Sequence, residues 1–262
     1  MPELPEVEAY RRRAQDALGR PITAVGIPDP RYVRGTTRVR DVADALVGHR
    51  FAAARRHGKL LVLDLEGATG RRLGLRFGMT GRLVVDGAGP VDRLLYSSTR
   101  DEPRWDRFVV VFEDGGTLVV VDPRLLGGVE LDPCEDRLGP DALALSPAQL
   151  RDALAASAAP LKTRLMDQGR VAGLGNLIAD EVLWRAGLAP TRRAGALTAA
   201  ELRRLHRHLR GTLDDLLARG GSHTGDLVPA RRAGGRCPRD GTELTRSVVG
   251  GRTSWWCGTH QR

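Results

Sequence analysis

The chain opens Met1-Pro2-Glu3-Leu4-Pro5-Glu6, and these are the first residues whose types and spacing could do chemistry. An initiator methionine before proline is normally trimmed, which would leave the secondary amine of Pro2 at the terminus. Attack of a secondary amine on a sugar aldehyde carbon gives an iminium. That group keeps its positive charge without a proton, so it acts as an electron sink for elimination. Glu3 and Glu6 stand three apart at the start of an expected helix, where Pro5 suits the first turn and acidic side chains complement the helix dipole. The same residues also make a plain, well-capped helix start, so the choice between nucleophile and cap depends on the rest of the chain.

A second set lies near the other end. Cys237-Pro238-Arg239-Asp240 and Cys257-Gly258-Thr259-His260 are two pairs at three-residue steps, separated by a β-like hairpin. That is the spacing of a zinc ribbon, in which two tight knuckles close a tetrahedron. Carboxylate ligation is uncommon in structural zinc sites, so three readings stay open. They are one structural Zn2+ held by Cys237, Asp240, Cys257 and His260, a zinc completed by water or another side chain, and a metal-free hairpin held by Trp255 and Trp256.

Four further stretches carry candidate residues. In Arg55-Arg56-His57-Gly58-Lys59, Lys59 beside a flexible glycine could reach a phosphate, although such basic turns more often serve only as solvated loops. Met79, in Phe77-Gly78-Met79-Thr80-Gly81, reads either as a protruding wedge or as a loop anchor. Asp122-Pro123-Arg124-Leu125-Leu126-Gly127 sets an arginine and two leucines on a tight loop. Val171-Ala172-Gly173-Leu174-Gly175-Asn176 feeds a helix N-terminus that can offer N–H groups to a phosphate, with the Asn176 amide adding a donor; its bland reading is a helix-turn-helix corner.

Stepping from these residues to what must hold them, residues 5–18 have apolar positions at helical spacing, with Arg11-Arg12-Arg13 on the wet side. From 22 to 121 the pattern becomes short β-rich runs at 22–27, 50–55, 60–65, 72–77, 108–113 and 117–121. Asp114-Gly115-Gly116 reads as a hairpin turn, and the spacing suggests a sandwich or flattened barrel. A linker follows, and then helical periods. Ser146 with Gln149 and Thr198 with Glu201 form capping boxes, and Leu202, Leu205, Leu209, Leu213 and Leu216-Leu217 form the buried stripe of a last long helix. Residues 219–235, rich in Gly and Arg, read as a mobile loop. The expected fold class is α+β, with an N-terminal helix and two-layered β-sandwich over 1–131, a linker at 132–145, a helical unit over 146–235 and a β-hairpin over 236–262.

The 262 residues carry 41 Lys and Arg against 32 Asp and Glu, a net charge of +9 with a pI near 10.5. Arginine supplies nearly all the cations and suits bidentate phosphate contacts, so a polyanionic partner is expected. A GC-rich genome explains arginine in place of lysine but not the surplus of charge. No apolar run approaches the roughly 18 residues of a membrane span, and no leader pattern opens the chain, so a cytoplasmic protein is expected. Three cysteines, Cys134, Cys237 and Cys257, are too few for a disulfide framework, and Cys134 reads as a small structural residue.

Together these pieces resemble the bacterial formamidopyrimidine-DNA glycosylase and endonuclease VIII family of base-excision repair enzymes, closer to the former. The resemblance covers nearly the whole chain, through Pro2-Glu3-Leu4-Pro5-Glu6-Val7-Glu8, Gly58-Lys59, 161–167 (Leu-Lys-Thr-Arg-Leu-Met-Asp), 173–181 (Gly-Leu-Gly-Asn-Leu-Ile-Ala-Asp-Glu) and the C-terminal hairpin. It implies a helix-two-turns-helix domain with a zinc finger, acting as a monomer on double-stranded DNA held in a basic cleft. It implies that Pro2 attacks C1′ of a nucleoside flipped from the stack, that Glu3 helps open the sugar and shuttles protons, and that Glu6 supports the terminus. Lys59, Asn176 and Arg252 match phosphate-holding positions. Met79, Arg124 and Leu126 match residues that fill the void left by the base.

This chain departs from the family pattern in three places. Leu126 replaces the usual aromatic wedge, which should loosen opposite-base discrimination. The loop near 220–228 looks short, which makes ring-opened formamidopyrimidines safer substrates than 8-oxoguanine. Asp240 and His260 replace two of four cysteines. The leading expectation is a glycosylase with abasic-site lyase activity acting on oxidised purines. Its rivals are an endonuclease VIII-like preference for oxidised pyrimidines and a non-catalytic damage-binding protein.

Overall fold

The computed structural model describes residues 2–35, 37–67, 70–91, 94, 98, 100 and 102–262; Met1, whose removal the sequence leads one to expect, lies outside them. Its contacts divide it into two compact units, one of Pro2 and Glu6–Glu135, the other of Glu3–Pro5 and Asp136–Arg262.

Helix α1 (Leu4–Ala14) ends in a 3-10 turn, Gln15–Ala17. Val7, Tyr10, Ala14 and Ala17 recur on one side and are buried, as an amphipathic stripe requires. Of its three arginines only Arg12 is well exposed; Arg11 folds over Glu8, which also receives Arg56. Around this stripe the first unit builds two four-stranded sheets. The strands are β1 (Ile22–Gly26), β2 (Phe51–His57), β3 (Leu60–Leu65), β4 (Arg72–Arg76), β5 (Arg82–Val85), β6 (Asp106–Phe112), β7 (Thr117–Val121) and β8 (Gly128–Leu131). The sheets run β1-β6-β7-β5 and β2-β3-β4-β8, with every pair antiparallel.

Alternation decides which side chains face inward. Phe108, Val110 and Phe112 are buried while Val109 and Val111 are not, and Phe108 and Val110 lie opposite Val120 and Leu118. These residues share one core with Leu61, Leu63, Leu73 and Leu75 of the other sheet, which makes the unit a sandwich. The expected β6–β7 turn is present, with Gly115 N–H donating to Phe112 O at 3.0 Å. Three elements go beyond the sequence expectation: helix α2 (Val39–Leu46) and the four-residue strands β5 and β8. The two strands are too short for period 2 to stand out.

The second unit packs α3 (Pro147–Leu154), α4 (Leu161–Leu165), α5 (Asn176–Ala186) and α6 (Ala199–Ala218), followed by a hairpin of β9 (Thr245–Val249) and β10 (Arg252–Trp256). Both capping boxes form as expected, Ser146 with Gln149 and Thr198 with Glu201. The inner face of α6 is Leu205, Leu209, Leu213 and Leu216.

Two expectations are corrected. Residues 219–235 are not an unanchored loop. They contain the 3-10 turns Ser222–Thr224 and Val228–Ala230, and bury Leu227. The physical reason is Glu181, a buried carboxylate that accepts Asp226 N–H at 3.1 Å and Leu227 N–H at 2.9 Å and so ties the segment to α5. Cys134 is exposed rather than structural.

Candidate functional site

A helix begins with N–H groups that have no partner inside it. At α5 their acceptors come from the far end of the sequence. Glu3 Oε1 accepts Leu177 N–H at 2.9 Å and Oε2 accepts Ile178 N–H at 3.2 Å. Glu3 is therefore the cap of a helix that starts more than 170 residues later, and the positive end of the dipole complements its charge. The glycines of 173–175 make this approach possible. A Cβ on Gly175 would stand 2.5 Å from Glu3 Oε2, so any side chain there displaces the carboxylate. Gly173 has a φ of +117°, and a Cβ on it would stand 2.5 Å from Leu4 Cδ1; Leu4 N–H donates to its carbonyl at 3.2 Å. Gln168 braces the turn, accepting Gly173 N–H at 3.0 Å and donating to Leu174 O at 2.9 Å. Asn176 is the first residue of α5, and its Oδ1 is buried with no hydrogen-bond partner among the described residues.

Pro2 is buried, and so is Glu6 in the first turn of α1. Burial and then the Glu6 charge push the Tyr10 phenol well above its ordinary pKa, so it stays a donor, giving its proton to Gly81 O at 3.1 Å. The Tyr10 ring lies 4.5 Å from that of Phe77. Tyr10 thus fixes both ends of the segment that carries Met79. Lys59 sits with Gly58 on the two-residue turn between β2 and β3. The basic run before it is not a loop: Arg55, Arg56 and His57 lie within β2, with Arg55 on Asp64 and Glu135 and Arg56 on Glu8.

Met79 and Arg124 come together, with Sδ and the guanidinium 3.7 Å apart. Arg124 and Leu126 are exposed, Leu126 to 44%, which is rare for a large apolar side chain of this unit. Their loop is built around Asp122, whose side chain is fully buried. Its Oδ2 accepts Leu126 N–H at 2.9 Å and Gly127 N–H at 2.8 Å, and its Oδ1 accepts Arg124 N–H at 3.3 Å and the Thr80 hydroxyl. Between the two exposed residues, Leu125 has a φ of +55°, which costs a leucine about 1 kcal/mol or more. The loop packs backbone to backbone on the Met79 segment: a Cβ on Gly78 would stand 2.5 Å from Leu126 C.

Cys237, Asp240, Cys257 and His260 converge, their ligand atoms all lying within 4.8 Å of one another. The measured edges are 3.7 Å for Cys237 Sγ to His260 Nδ1, 3.2 Å for Cys257 Sγ to Asp240 Oδ2 and 3.2 Å for His260 Nδ1 to Asp240 Oδ2. A tetrahedral zinc with ordinary bond lengths would give edges of about 3.3–3.8 Å. The surroundings suit a metal as well. His260 Nε2 lies 3.2 Å from Trp184 O, so donating there leaves Nδ1 for the centre. Arg239 N–H and Trp184 Nε1–H both point at Cys237 Sγ at 3.4 Å, the arrangement a thiolate needs. The four residues fit a metal; the hairpin they anchor carries Arg252, exposed at the start of β10.

One group that spacing alone does not reveal lies behind that strand. Lys162 is fully buried, with Nζ 2.7 Å from Asp180 Oδ1, 2.7 Å from Ser254 Oγ and 3.1 Å from Thr253 O. Arg231 and Trp255 N–H occupy the other oxygen of Asp180. Burial lowers the Lys162 pKa, against the pull of Asp180. A lysine inside an apolar helical frame is the only signal the sequence offers.

Comparison with known proteins agrees with this geometry. A family model described as the formamidopyrimidine-DNA glycosylase N-terminal domain matches residues 1–129, and one described as the H2TH domain of the same enzymes matches residues 138–227. Relatives named formamidopyrimidine-DNA glycosylase include those of Paracoccus denitrificans, 38% identical over 98% of both chains, and Cereibacter sphaeroides, 35% identical over 100% of both. Among solved structures, Lactococcus lactis Fpg with DNA containing N7-benzyl-Fapy-dG superposes with a TM-score of 0.83 at 27% identity, over 100% of both chains. The same enzyme non-covalently bound to DNA containing an abasic site gives the same TM-score and identity, over 100% of both. With most of its length matched by these models and its whole length by these relatives, the chain belongs to the formamidopyrimidine-DNA glycosylase family.

Proposed function

We propose that the protein excises ring-opened, oxidised purines from duplex DNA and then cuts the strand at the resulting abasic site, working as a monomer in a bacterial cytoplasm. The observation that carries this reading is Glu3, buried on two N–H groups of α5 directly after Pro2 in sequence. Pro2, freed of Met1, attacks C1′ of the extruded nucleoside. The glycosidic bond breaks with its electron pair leaving on the base, while Glu3 supplies a proton to the opening sugar. Loss of a C2′ proton from the iminium expels the 3′ phosphate, and a second elimination expels the 5′ phosphate. Glu6 keeps the terminus in place. Lys59, Asn176 and Arg252 hold phosphates, and Met79, Arg124 and Leu126 fill the gap in the stack.

One Zn2+ held by Cys237, Asp240, Cys257 and His260 would cross-link the hairpin that presents Arg252. The segments 1–131, 146–235 and 236–262 act as catalytic domain, helical DNA-binding domain and finger, joined through 132–145. Among the described residues no helix is long and apolar enough to cross a membrane.

The test is borohydride trapping on duplexes carrying a formamidopyrimidine, 8-oxoguanine, an oxidised pyrimidine or a bare abasic site, with the starting residue fixed by intact mass. Reduction freezes the iminium as a covalent adduct. Strongest trapping on the formamidopyrimidine is expected. Strongest trapping on the pyrimidine would reassign the substrate, a reading that the non-aromatic Leu126 favours. No adduct from protein that begins at Pro2 would remove the catalytic reading and leave a damage-binding protein.

A further inference from the structure

We infer that Asp122 and Thr80 form a buried latch that holds the three gap-filling side chains as one piece, and that Asp122 is a positioning residue for base extrusion. The inference rests on the functional reading above, since it assigns Met79, Arg124 and Leu126 to the gap in the duplex.

Asp122 is fully buried without an arginine or lysine side chain on its carboxylate among the hydrogen bonds and ion pairs of the described residues. Its carboxylate is instead surrounded by donors from the two loops that end in exposed side chains. Three backbone N–H groups, of Arg124, Leu126 and Gly127, come from its own loop. The fourth donor, the Thr80 hydroxyl, comes from the Met79 segment. A buried carboxylate used only for stability is more commonly paired with a cation, because the charge must be compensated. Here the carboxylate's four hydrogen-bond donors are groups whose positions determine where Arg124, Leu126 and Met79 point.

The rest of the carboxylate's surroundings fits a fixed mount. Asp122 N–H donates to Trp105 O at 2.8 Å, and Arg107 Nε donates to Asp122 O at 2.9 Å, so the residue's own backbone cannot shift with the loop. Leu125, at a φ of +55°, is held in a conformation a leucine leaves when its neighbours are released. Arg34 Nε reaches Gly127 O at 3.0 Å and closes the far side of the loop. An exposed loop serving no partner gains nothing from such restraint, whereas a wedge that must enter a base stack loses effect when it can swing away.

Thr80→Val removes the hydroxyl with little change of shape, and Thr80→Ser keeps it. Excision of a formamidopyrimidine and strand cutting at a preformed abasic site are measured for both variants and for Asp122→Asn, with thermal melting as the control for folding. Only excision requires an intact base to be driven from the stack. The expected result is that Thr80→Val loses about tenfold in kcat/KM for excision, with cutting at the abasic site unchanged, while Thr80→Ser restores excision. Asp122→Asn should lose more than Thr80→Val, because one oxygen facing N–H donors becomes a donor itself. Full excision by Thr80→Val, or an equal loss of both activities in protein that melts as the wild type does, would overturn the latch, and should Thr80→Val fail to fold, Asp122→Asn decides by the same two readouts. Wild-type protein that neither excises nor cuts would refute the functional reading itself, and the latch would fall with it.

Discussion

Two carboxylates, Glu3 and Asp122, are both fully buried, and both rest on backbone N–H groups, yet they are built from opposite kinds of information. Asp122 takes three of its four donors from within five residues of itself. Glu3 accepts Leu177 and Ile178 N–H of a helix that begins at residue 176. The local one shapes a loop. The distant one brings a carboxylate to a helix terminus, which a loop of a few residues cannot supply. In this chain the Asp122 loop is shaped mostly by its own neighbours, whereas the Glu3 carboxylate finds its place only when the second unit folds around residues 3–5.

The sharpest way to break that comparison is Gly175→Ala, whose Cβ would stand 2.5 Å from Glu3 Oε2. Excision should fall by roughly 10²-fold or more, the usual worth of a placed acid or base, and the melting temperature should fall with it. Retained turnover would show that the Glu3 cradle is not needed for chemistry. Disrupting the proposed metal site of Cys237, Asp240, Cys257 and His260 should matter next. Chelation, or Asp240→Ala, is expected to weaken binding to every duplex by about tenfold or more without sequence preference, as loss of a supported phosphate contact would. Metal analysis that finds none in folded, active protein would end the ligand assignment.

On the loop side, Gly78→Ala meets Leu126 C at 2.5 Å with a φ of +56°. It should destabilise the first unit by about 1–3 kcal/mol in denaturant titration and leave the α5 terminus intact, so that abasic-site cutting outlasts excision.

The smallest effect concerns a third carboxylate, Glu8, held by guanidinium groups instead of amides. Burial works to raise its pKa, but Arg11 and Arg56 outweigh this and the net shift is downward. A carboxylate with a depressed folded-state pKa adds stability above its unfolded pKa and loses it as pH falls through the folded value. Glu8→Gln should therefore cost about 1 kcal/mol at neutral pH, a difference that closes below about pH 4. A gap that persists at low pH would mean that Glu8 acts through packing alone.

Much of the scaffold was legible because it is written at short range. The capping boxes at Ser146 and Thr198, the turn at Asp114-Gly115-Gly116 and the leucine stripe of α6 each depend on residues a few positions apart. Helix α2 has Val39, Val42 and Leu46 at helical spacing, but eight residues among strands leave little room for the period to show. The anchoring of 219–235 was not legible, since it depends on Glu181, which looks like an ordinary helix surface residue until burial is known.

The sequence by itself determined which residue types are at hand: a proline at position 2 followed by a carboxylate, two cysteine-led pairs with metal spacing, and arginine in excess over acid. These are properties of residue type and of separations that covalent geometry fixes. Only the tertiary structure decided that Glu3 caps α5, that Gly175 is glycine to admit a carboxylate, that Lys162 braces the strand bearing Arg252 and that Asp122 ties two loops together. Each of those depends on a buried polar group, Glu3, Lys162 or Asp122, that meets at least one partner distant in sequence, and the requirement that it be satisfied appears only once folding has removed it from water.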